Sequence, residues 1–212
     1  MNKANVLKRN VINIILDLGL FQVTGGLDKK DWILLKNGER APVFLNTAKF
    51  ISHPNLNKKI GQLIFQIIQE KNIEFDRVMG LPYGGLPFAY SLSFHKNIPC
   101  LAIRKEGVKK YSTSGEILGD HKKGQQVLLI EDATATANTA IGFVKRLRTN
   151  SLKVKDIITI VDIGGTANKN LRKEKVVLHT LFTWSELYKG YKDKNLSSMN
   201  KDVIVFLDNL FK

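Results

Sequence analysis

The sequence contains few of the features that stabilise small secreted proteins or anchor proteins in a membrane. Its 212 residues include one cysteine, Cys100, so an internal disulfide is excluded, and a reducing cytoplasmic setting is favoured. No run approaches the roughly 20 apolar residues that a membrane-spanning helix needs. Residues 1–5 lead into an amphipathic segment rather than the apolar core of a signal peptide. We therefore expect a cytoplasmic protein without a membrane anchor.

Acidic residues are scarce as well, because 19 Asp and Glu stand against 33 Lys and Arg, giving a net charge of +14. This charge favours a polyanionic partner, which could be a nucleic acid, an anionic membrane surface or a phosphorylated small molecule. The basic residues are mostly lysines scattered along the chain. Proteins that read nucleic-acid bases rely on arginine. We therefore interpret most of these lysines as a solvated surface, and nucleic acid is the partner that we expect least.

The first third of the chain has helical and then β-like patterns. Apolar residues between positions 7 and 18 recur at helical spacing and stop at Gly19, which predicts an N-terminal helix. Two short apolar segments, 32–35 and 43–45, flank a polar loop and predict a small β element. A second amphipathic helix is predicted over residues 56–72.

Beyond residue 72, short apolar runs alternate with helical segments, which is typical of parallel strands buried on both faces. The predicted strands are 78–81, 98–103, 127–130, 157–161 and 176–181. The predicted helices are 86–95, 141–148, 184–191 and 203–211. This order predicts an α/β doubly wound parallel sheet. We expect one domain, with a hood-like N-terminal element, a core and a helical tail at residues 1–55, 56–182 and 183–212.

Two loops of this sheet have unusual compositions at the strand ends where ligands bind. Residues 80–87 contain three glycines, which let backbone N–H groups approach a ligand, although a plain strand-to-helix turn explains them equally well. Glu131 and Asp132 follow a buried strand and precede small, hydroxylated residues at a predicted helix N-terminus. Such a terminus binds phosphate, and paired carboxylates bind sugar hydroxyls or a hydrated metal. A helix cap by Asn138 or Thr139 explains the small residues but not the two acids.

A third loop, residues 104–124, is too polar for the core and lies between two predicted strands. Loops of this length in compact domains are usually lids or binding loops. Its lysines could close over a polyanion, although a solvated run of charge is the simpler interpretation of this loop alone.

Taken together, these segments resemble the type I phosphoribosyltransferases, and within them the orotate phosphoribosyltransferases. The resemblance covers about residues 11–187 and depends on motifs at Leu35–Gly38, Ala41–Phe44, Gly80–Tyr83, Arg104–Glu106 and Leu128–Asp132. It implies transfer of the phosphoribosyl group of 5-phosphoribosyl 1-diphosphate (PRPP) to orotate, giving orotidine 5'-monophosphate and pyrophosphate in pyrimidine biosynthesis. It further implies Mg²⁺ carried on the diphosphate, and a homodimer in which the lid loop reaches the partner's site.

The resemblance also assigns roles to individual residues. Glu131 and Asp132 would hold the ribose hydroxyls of PRPP. Its 5-phosphate would contact Thr136, Ala137, Asn138 and Thr139. The other implied PRPP contacts are Lys36, Tyr83, Arg104, Lys105 and Lys109. The implied catalytic residues are Lys105, Lys109 and Asp132, and the implied base contacts are Phe44 and Lys36. No direct protein ligand for a metal is implied, and the four histidines lack metal-ligand spacing.

Three positions depart from the family pattern. The phosphate loop fits with one inserted residue and has Asn138 in the place of a glycine, and Lys110 replaces an acid of the lid loop. Ile163 replaces the arginine that meets orotate, and such a charged contact is worth about 1.5–3 kcal/mol. Either Lys36 or Arg40 compensates, or the base is not orotate. A phosphoribosyltransferase for another base and a non-catalytic PRPP- or nucleotide-binding regulator are therefore the alternatives.

Overall fold

The computed structural model describes residues 3–34, 38–104 and 115–211. The α-helices of this part are Lys3–Asp17 (α1), Pro54–Glu70 (α2), Leu86–Lys96 (α3), Asn138–Thr149 (α4), Ala167–Lys173 (α5), Trp184–Asn195 (α6) and Lys201–Leu210 (α7). The strands are Phe21–Val23 (β1), Ile33–Leu34 (β2), Arg40–Ala41 (β3), Val43–Leu45 (β4), Arg77–Gly80 (β5), Cys100–Ile103 (β6), Ile117–Leu118 (β7), Val127–Thr134 (β8), Asp156–Asp162 (β9) and Val177–Thr183 (β10).

Six of these strands form the central sheet, in the order β10-β9-β8-β5-β6-β7. All neighbouring pairs are parallel except β6 and the short edge strand β7. The chain runs outward from β5 to β6 and then returns to the other side of β5 with β8, so the strand order reverses between β5 and β8. Ligands of open α/β sheets bind at such a switch point. The predicted doubly wound α/β fold is therefore confirmed.

Helices cover both faces of the sheet because successive strand residues point to opposite sides. Leu128 and Ile130 of β8 face the first core, which α1, α2, α3, α6 and α7 cover. Val127 and Leu129 face the second core, under α4 and α5. Because both faces of the sheet are buried, its strands appear in the sequence as continuous apolar runs. The same packing holds β5 and β8, the two strands at the switch point, in position.

The N-terminal β segments pack beside the C-terminal helices. β1 pairs with β4 and β2 pairs with β3, both antiparallel. The ring of Phe21 meets Trp184 edge to face at 5.4 Å between centroids, and Trp32 lies 5.8 Å from Phe206 of α7. The N-terminal β segments therefore pack against the C-terminal helices.

Several boundaries differ from those predicted from the sequence. Helix α5 was missed, because only Ala167 and Leu171 of its seven residues are buried and no apolar periodicity develops. Strand β8 continues four residues beyond Ile130, so Glu131 and Asp132 lie within the strand rather than after it. In the part of the chain that the structure describes, no helix is long and apolar enough to span a bilayer.

Candidate active site

The loop from β5 to α3 packs directly against β8, and its glycines are required sterically. A β-carbon on Gly85 would overlap the carbonyl oxygen of Ile130, and one on Gly84 would overlap the carboxylate of Asp132. The Leu81 N–H donates to the Ile130 carbonyl at 2.9 Å. The glycines therefore bring this loop into contact with the acid pair, which a plain strand-to-helix turn would not require.

Glu131 and Asp132 have different environments although they are neighbours. Glu131 is 8% exposed, and its Oε2 has no hydrogen-bond partner among the described residues. Burial, together with the charge of Asp132, raises the pKa of the Glu131 carboxyl to about 7. Asp132 is partly exposed, and its Oδ2 accepts a hydrogen bond of 2.6 Å from the Thr47 hydroxyl. Asp132 is therefore the more accessible of the two carboxyl groups.

The segment between β8 and α4 forms an open helix start. Ala137 precedes the helix in a left-handed conformation, with a φ of 59°, and has no side chain that could cap α4. The Thr136 hydroxyl accepts the N–H of Asn138 at a long distance of 3.5 Å. The alternative of a cap by Asn138 or Thr139 is therefore wrong, because both residues lie inside the first helical turn. Both are exposed, as is Thr136. The first N–H groups of the helix and its dipole make this segment suited to an anion.

The position of the left-handed residue corrects the sequence alignment of this loop. The left-handed backbone that a glycine would supply belongs to Ala137, whereas Asn138 is helical. The loop is held from the missed helix α5, since the Ala167 N–H donates to Ala135 O at 3.0 Å and the Asn170 side chain donates to Thr136 O at 3.0 Å.

A cavity of about 690 Å³ opens beside the acid pair. Its walls come from the N-terminal β segments, the ends of β8, β9 and β10, and the C-terminus. The lining residues are Ala41, Pro42, Val43, Phe44, Leu45, Thr47, Ala133, Asp162, Ile163, Gly164, Thr183, Trp184, Ser185, Leu210 and Phe211. Thr47 both lines this cavity and binds Asp132, so the cavity and the acid pair are one continuous site.

The other predicted site residues are distributed as follows. Phe44 lines the cavity, whereas Arg40 does not, because its guanidinium donates to the carbonyls of Lys30 and Trp32 at 2.7 and 2.9 Å. Tyr83 is 68% exposed on the glycine loop. Arg104 follows β6, and its Nε donates to Gly115 O at 3.3 Å. The remaining predicted residues, Lys36, Lys105, Lys109 and Lys110, lie outside the described residues.

The model of the phosphoribosyl transferase domain matches residues 47–194, which include the glycine loop, the acid pair and the helix start. The chain belongs to the phosphoribosyltransferase family. It is 31% identical over 184 residues to the orotate phosphoribosyltransferase of Pyrococcus horikoshii, covering 87% of this chain and 95% of that protein. It is 29% identical to the enzyme of the same name from Methanocaldococcus jannaschii, covering 85% and 96%.

Solved phosphoribosyltransferase structures share this fold. Orotate phosphoribosyltransferase from Aeropyrum pernix superposes with a TM-score of 0.70 at 21% identity, covering 84% of this chain and 96% of that one. The Mycobacterium tuberculosis enzyme in complex with PRPP superposes with a TM-score of 0.68 at 20% identity, covering 86% and 99%. The expected type I architecture is therefore confirmed.

Sequence reasoning missed several residues of this phosphoribosyltransferase site. Thr47, Asn170, Trp184 and Phe211 were not singled out as site residues. Each acts across a large sequence separation, for example 85 residues between Thr47 and Asp132. Local sequence patterns do not predict contacts between residues that lie so far apart in the chain. The hydroxyl of Thr47, just after β4, is compatible with such a contact.

Proposed function

We propose that this phosphoribosyltransferase uses orotate, so that PRPP and orotate give orotidine 5'-monophosphate and pyrophosphate in pyrimidine biosynthesis. The family membership and the two curated relatives of that name support this reaction. The observation that carries it is the hydrogen bond from Thr47 to Asp132, which joins the acid pair near the end of β8 to the apolar cavity.

In this proposal PRPP lies along the end of β8. Asp132 accepts hydrogen bonds from the ribose hydroxyls, and the buried Glu131 lies next to it on β8. The exposed residues Thr136, Asn138 and Thr139, with the N–H groups around Ala137, hold the 5-phosphate. The anomeric carbon then lies between the acid pair and the cavity.

The base occupies the cavity, where Phe44 contacts the ring and residues 1–55 act as the hood over it. As the bond to diphosphate breaks, positive charge develops on the ribose and negative charge on the leaving group. Asp132 stabilises the first charge, and Arg104, Lys105 and Lys109 stabilise the second. Closing the site excludes water, which would otherwise hydrolyse PRPP. Mg²⁺ carried on the diphosphate would supply further positive charge to the leaving group, and the partly exposed Asp132 would contact the hydrated ion through water.

Replacing Lys109 with alanine tests this assignment. If the lid lysine neutralises the leaving diphosphate, orotate consumption with PRPP and Mg²⁺ falls by about 100-fold or more, the order expected when an electrostatic stabiliser is removed. The matched control is Lys122→Ala, at an exposed turn before β8, which is expected to retain activity within about twofold. Equal activities of the two variants would contradict the role of Lys109.

The homodimer belongs to the same proposal, and we assign its interface to the exposed apolar surface around α3. Phe94 is 85% exposed, Ile51 and Tyr83 are each 68% exposed, and Tyr90 is 45% exposed. These four residues line one groove. Tyr83 belongs both to this surface and to the glycine loop beside Asp132. A second copy seated here would therefore lie next to the active site.

Phe94→Asp is expected to convert the dimer to a monomer, because it places a charge at the most exposed position of this apolar surface. Light scattering coupled to size-exclusion chromatography would measure the mass, and orotate consumption would fall with it because the lid is shared. The control is Val205→Asp, on α7, which is 60% exposed and should leave the mass unchanged. A Phe94→Asp protein that is still dimeric would refute this interface.

The proposed location is the cytoplasm. The one cysteine, Cys100, is a free thiol on β6. Burial raises the pKa of this thiol to about 11, so at neutral pH it is protonated and a weak nucleophile. A reducing compartment is compatible with this free cysteine.

A further inference from the structure

The cavity beside the acid pair has a charge distribution that suits an uncharged ring. Among the described residues that line it, most are apolar, none is a lysine or arginine, and Asp162 is the one charged side chain. The Asp162 Oδ1 accepts the N–H of Gly164 at 2.9 Å. The charge presented to the base by this part of the cavity is therefore negative.

Ile163 occupies the position next to this carboxylate. It follows the last residue of β9, and its N–H donates to Thr134 O at 2.9 Å, which fixes its backbone against β8. Its side chain is 36% exposed and lines the cavity. The end of β9 thus presents an apolar side chain to the ring, and Arg40 is held elsewhere by two backbone carbonyls.

We propose that this cavity also accepts an uncharged pyrimidine, so that the protein transfers the phosphoribosyl group to uracil as well as to orotate. Ile163 is the residue that makes the selectivity for orotate over uracil weak. The inference builds on the proposed function, because it uses the same PRPP site and the same chemistry. What it adds is a second substrate class and the residue responsible for it.

The physical reason is the cost of bringing a carboxylate into this environment. An anionic base loses its hydration on entering an apolar cavity and needs a cationic partner to recover the lost free energy. Asp162 repels the carboxylate of orotate, whereas the ring N–H groups that both bases carry can donate to Asp162. Uracil lacks the carboxylate of orotate and therefore avoids this cost.

The reaction with uracil balances without any further reactant. A bond forms between the ring N1 of uracil and C1 of PRPP, while the bond from C1 to the diphosphate oxygen breaks. The electron pair of that bond leaves with pyrophosphate, and the N1 proton passes to solvent. The product is uridine 5'-monophosphate.

The test compares kcat/KM for orotate and for uracil in the wild type, Ile163→Arg and Ile163→Met, with PRPP and Mg²⁺ present. We expect the wild type to use both bases. Ile163→Arg should raise the orotate-to-uracil ratio roughly 10- to 150-fold, the range that corresponds to one charged hydrogen bond. Ile163→Met keeps an apolar side chain and should leave the ratio unchanged. The KM for PRPP reports whether each variant retains its folded PRPP site.

The outcomes separate this inference from the proposed function. Turnover of orotate with no detectable turnover of uracil overturns the inference alone, as does an unchanged ratio in an Ile163→Arg protein with normal KM for PRPP. Turnover of uracil without orotate supports the inference and overturns orotate as the substrate. Absence of turnover with both bases overturns both.

Discussion

Gly84→Ala is expected to reduce orotate-dependent turnover by about 100-fold or more, because a displacement of about 1 Å in a reacting group can cost that much. A β-carbon at this position would overlap the carboxylate of Asp132, which then has to move away from the ribose. Gly84 is not in a left-handed conformation, so alanine is compatible with its backbone. The loss should therefore come from the site rather than from unfolding, and steady-state kinetics with a thermal melt would separate the two.

The matched control for this substitution is Gly142→Ala. Gly142 lies within α4, and a β-carbon there meets no atom within 4 Å. Alanine should stabilise the helix by roughly 0.5–1 kcal/mol and leave turnover within about twofold. If Gly84→Ala kept wild-type activity, the close packing of the glycine loop on Asp132 would have no role in catalysis.

Glu131→Gln is expected to stabilise the protein at high pH relative to the wild type. Burial first, and the charge of Asp132 second, raise the pKa of the Glu131 carboxyl from 4.5 to about 7. A carboxyl group with a raised pKa contributes its stability below pH 4.5, and that contribution is lost as the pH rises through about 7. The advantage of the glutamine variant should therefore grow by about 3 kcal/mol between pH 4.5 and pH 8.

Urea unfolding at a series of pH values would measure this difference. Glu70→Gln, at the exposed end of α2, is the matched control for replacing a glutamate with a glutamine. A free-energy difference between wild type and Glu131→Gln that stays constant over this range would contradict a buried, protonatable Glu131. The same variant should lose activity, because an amide replaces a carboxylate behind the ribose.

The sequence predicted the parts of the fold that depend on local periodicity. Strands such as β8 and β9 are buried on both faces and appear as uninterrupted apolar runs, and α2 has a continuous apolar stripe. The acid pair, the open helix start and the glycine loop were also predictable, since each is a short local motif at a strand end. Family membership confirms the interpretation drawn from these motifs.

Other features depend on contacts that no local pattern encodes. Helix α5 buries only two residues, so its role in holding the phosphate loop through Asn170 became visible only in three dimensions. The sequence put Asn138 in the place of the family's glycine, but Ala137 is the residue that adopts the left-handed backbone. Phe211 lines the cavity together with residues of β4 and β9, which lie far from it in the sequence.

The sequence left two alternatives to a reaction with orotate. The first, a non-catalytic regulator, is not supported by the curated relatives, which are named orotate phosphoribosyltransferases. The second alternative, a base other than orotate, is tested by the experiment with uracil. It is chosen because the apolar Ile163 lines the cavity and the cationic Arg40 does not. Substitution at position 163 therefore changes the expected selectivity rather than the reaction.

The most direct test of the central claim is the stoichiometry of the wild-type reaction. Purified protein with PRPP, Mg²⁺ and orotate should consume orotate and release pyrophosphate in a one-to-one ratio, with orotidine 5'-monophosphate as the product. Release of pyrophosphate that does not depend on orotate, or full retention of both substrates, would contradict phosphoribosyl transfer to orotate at this site.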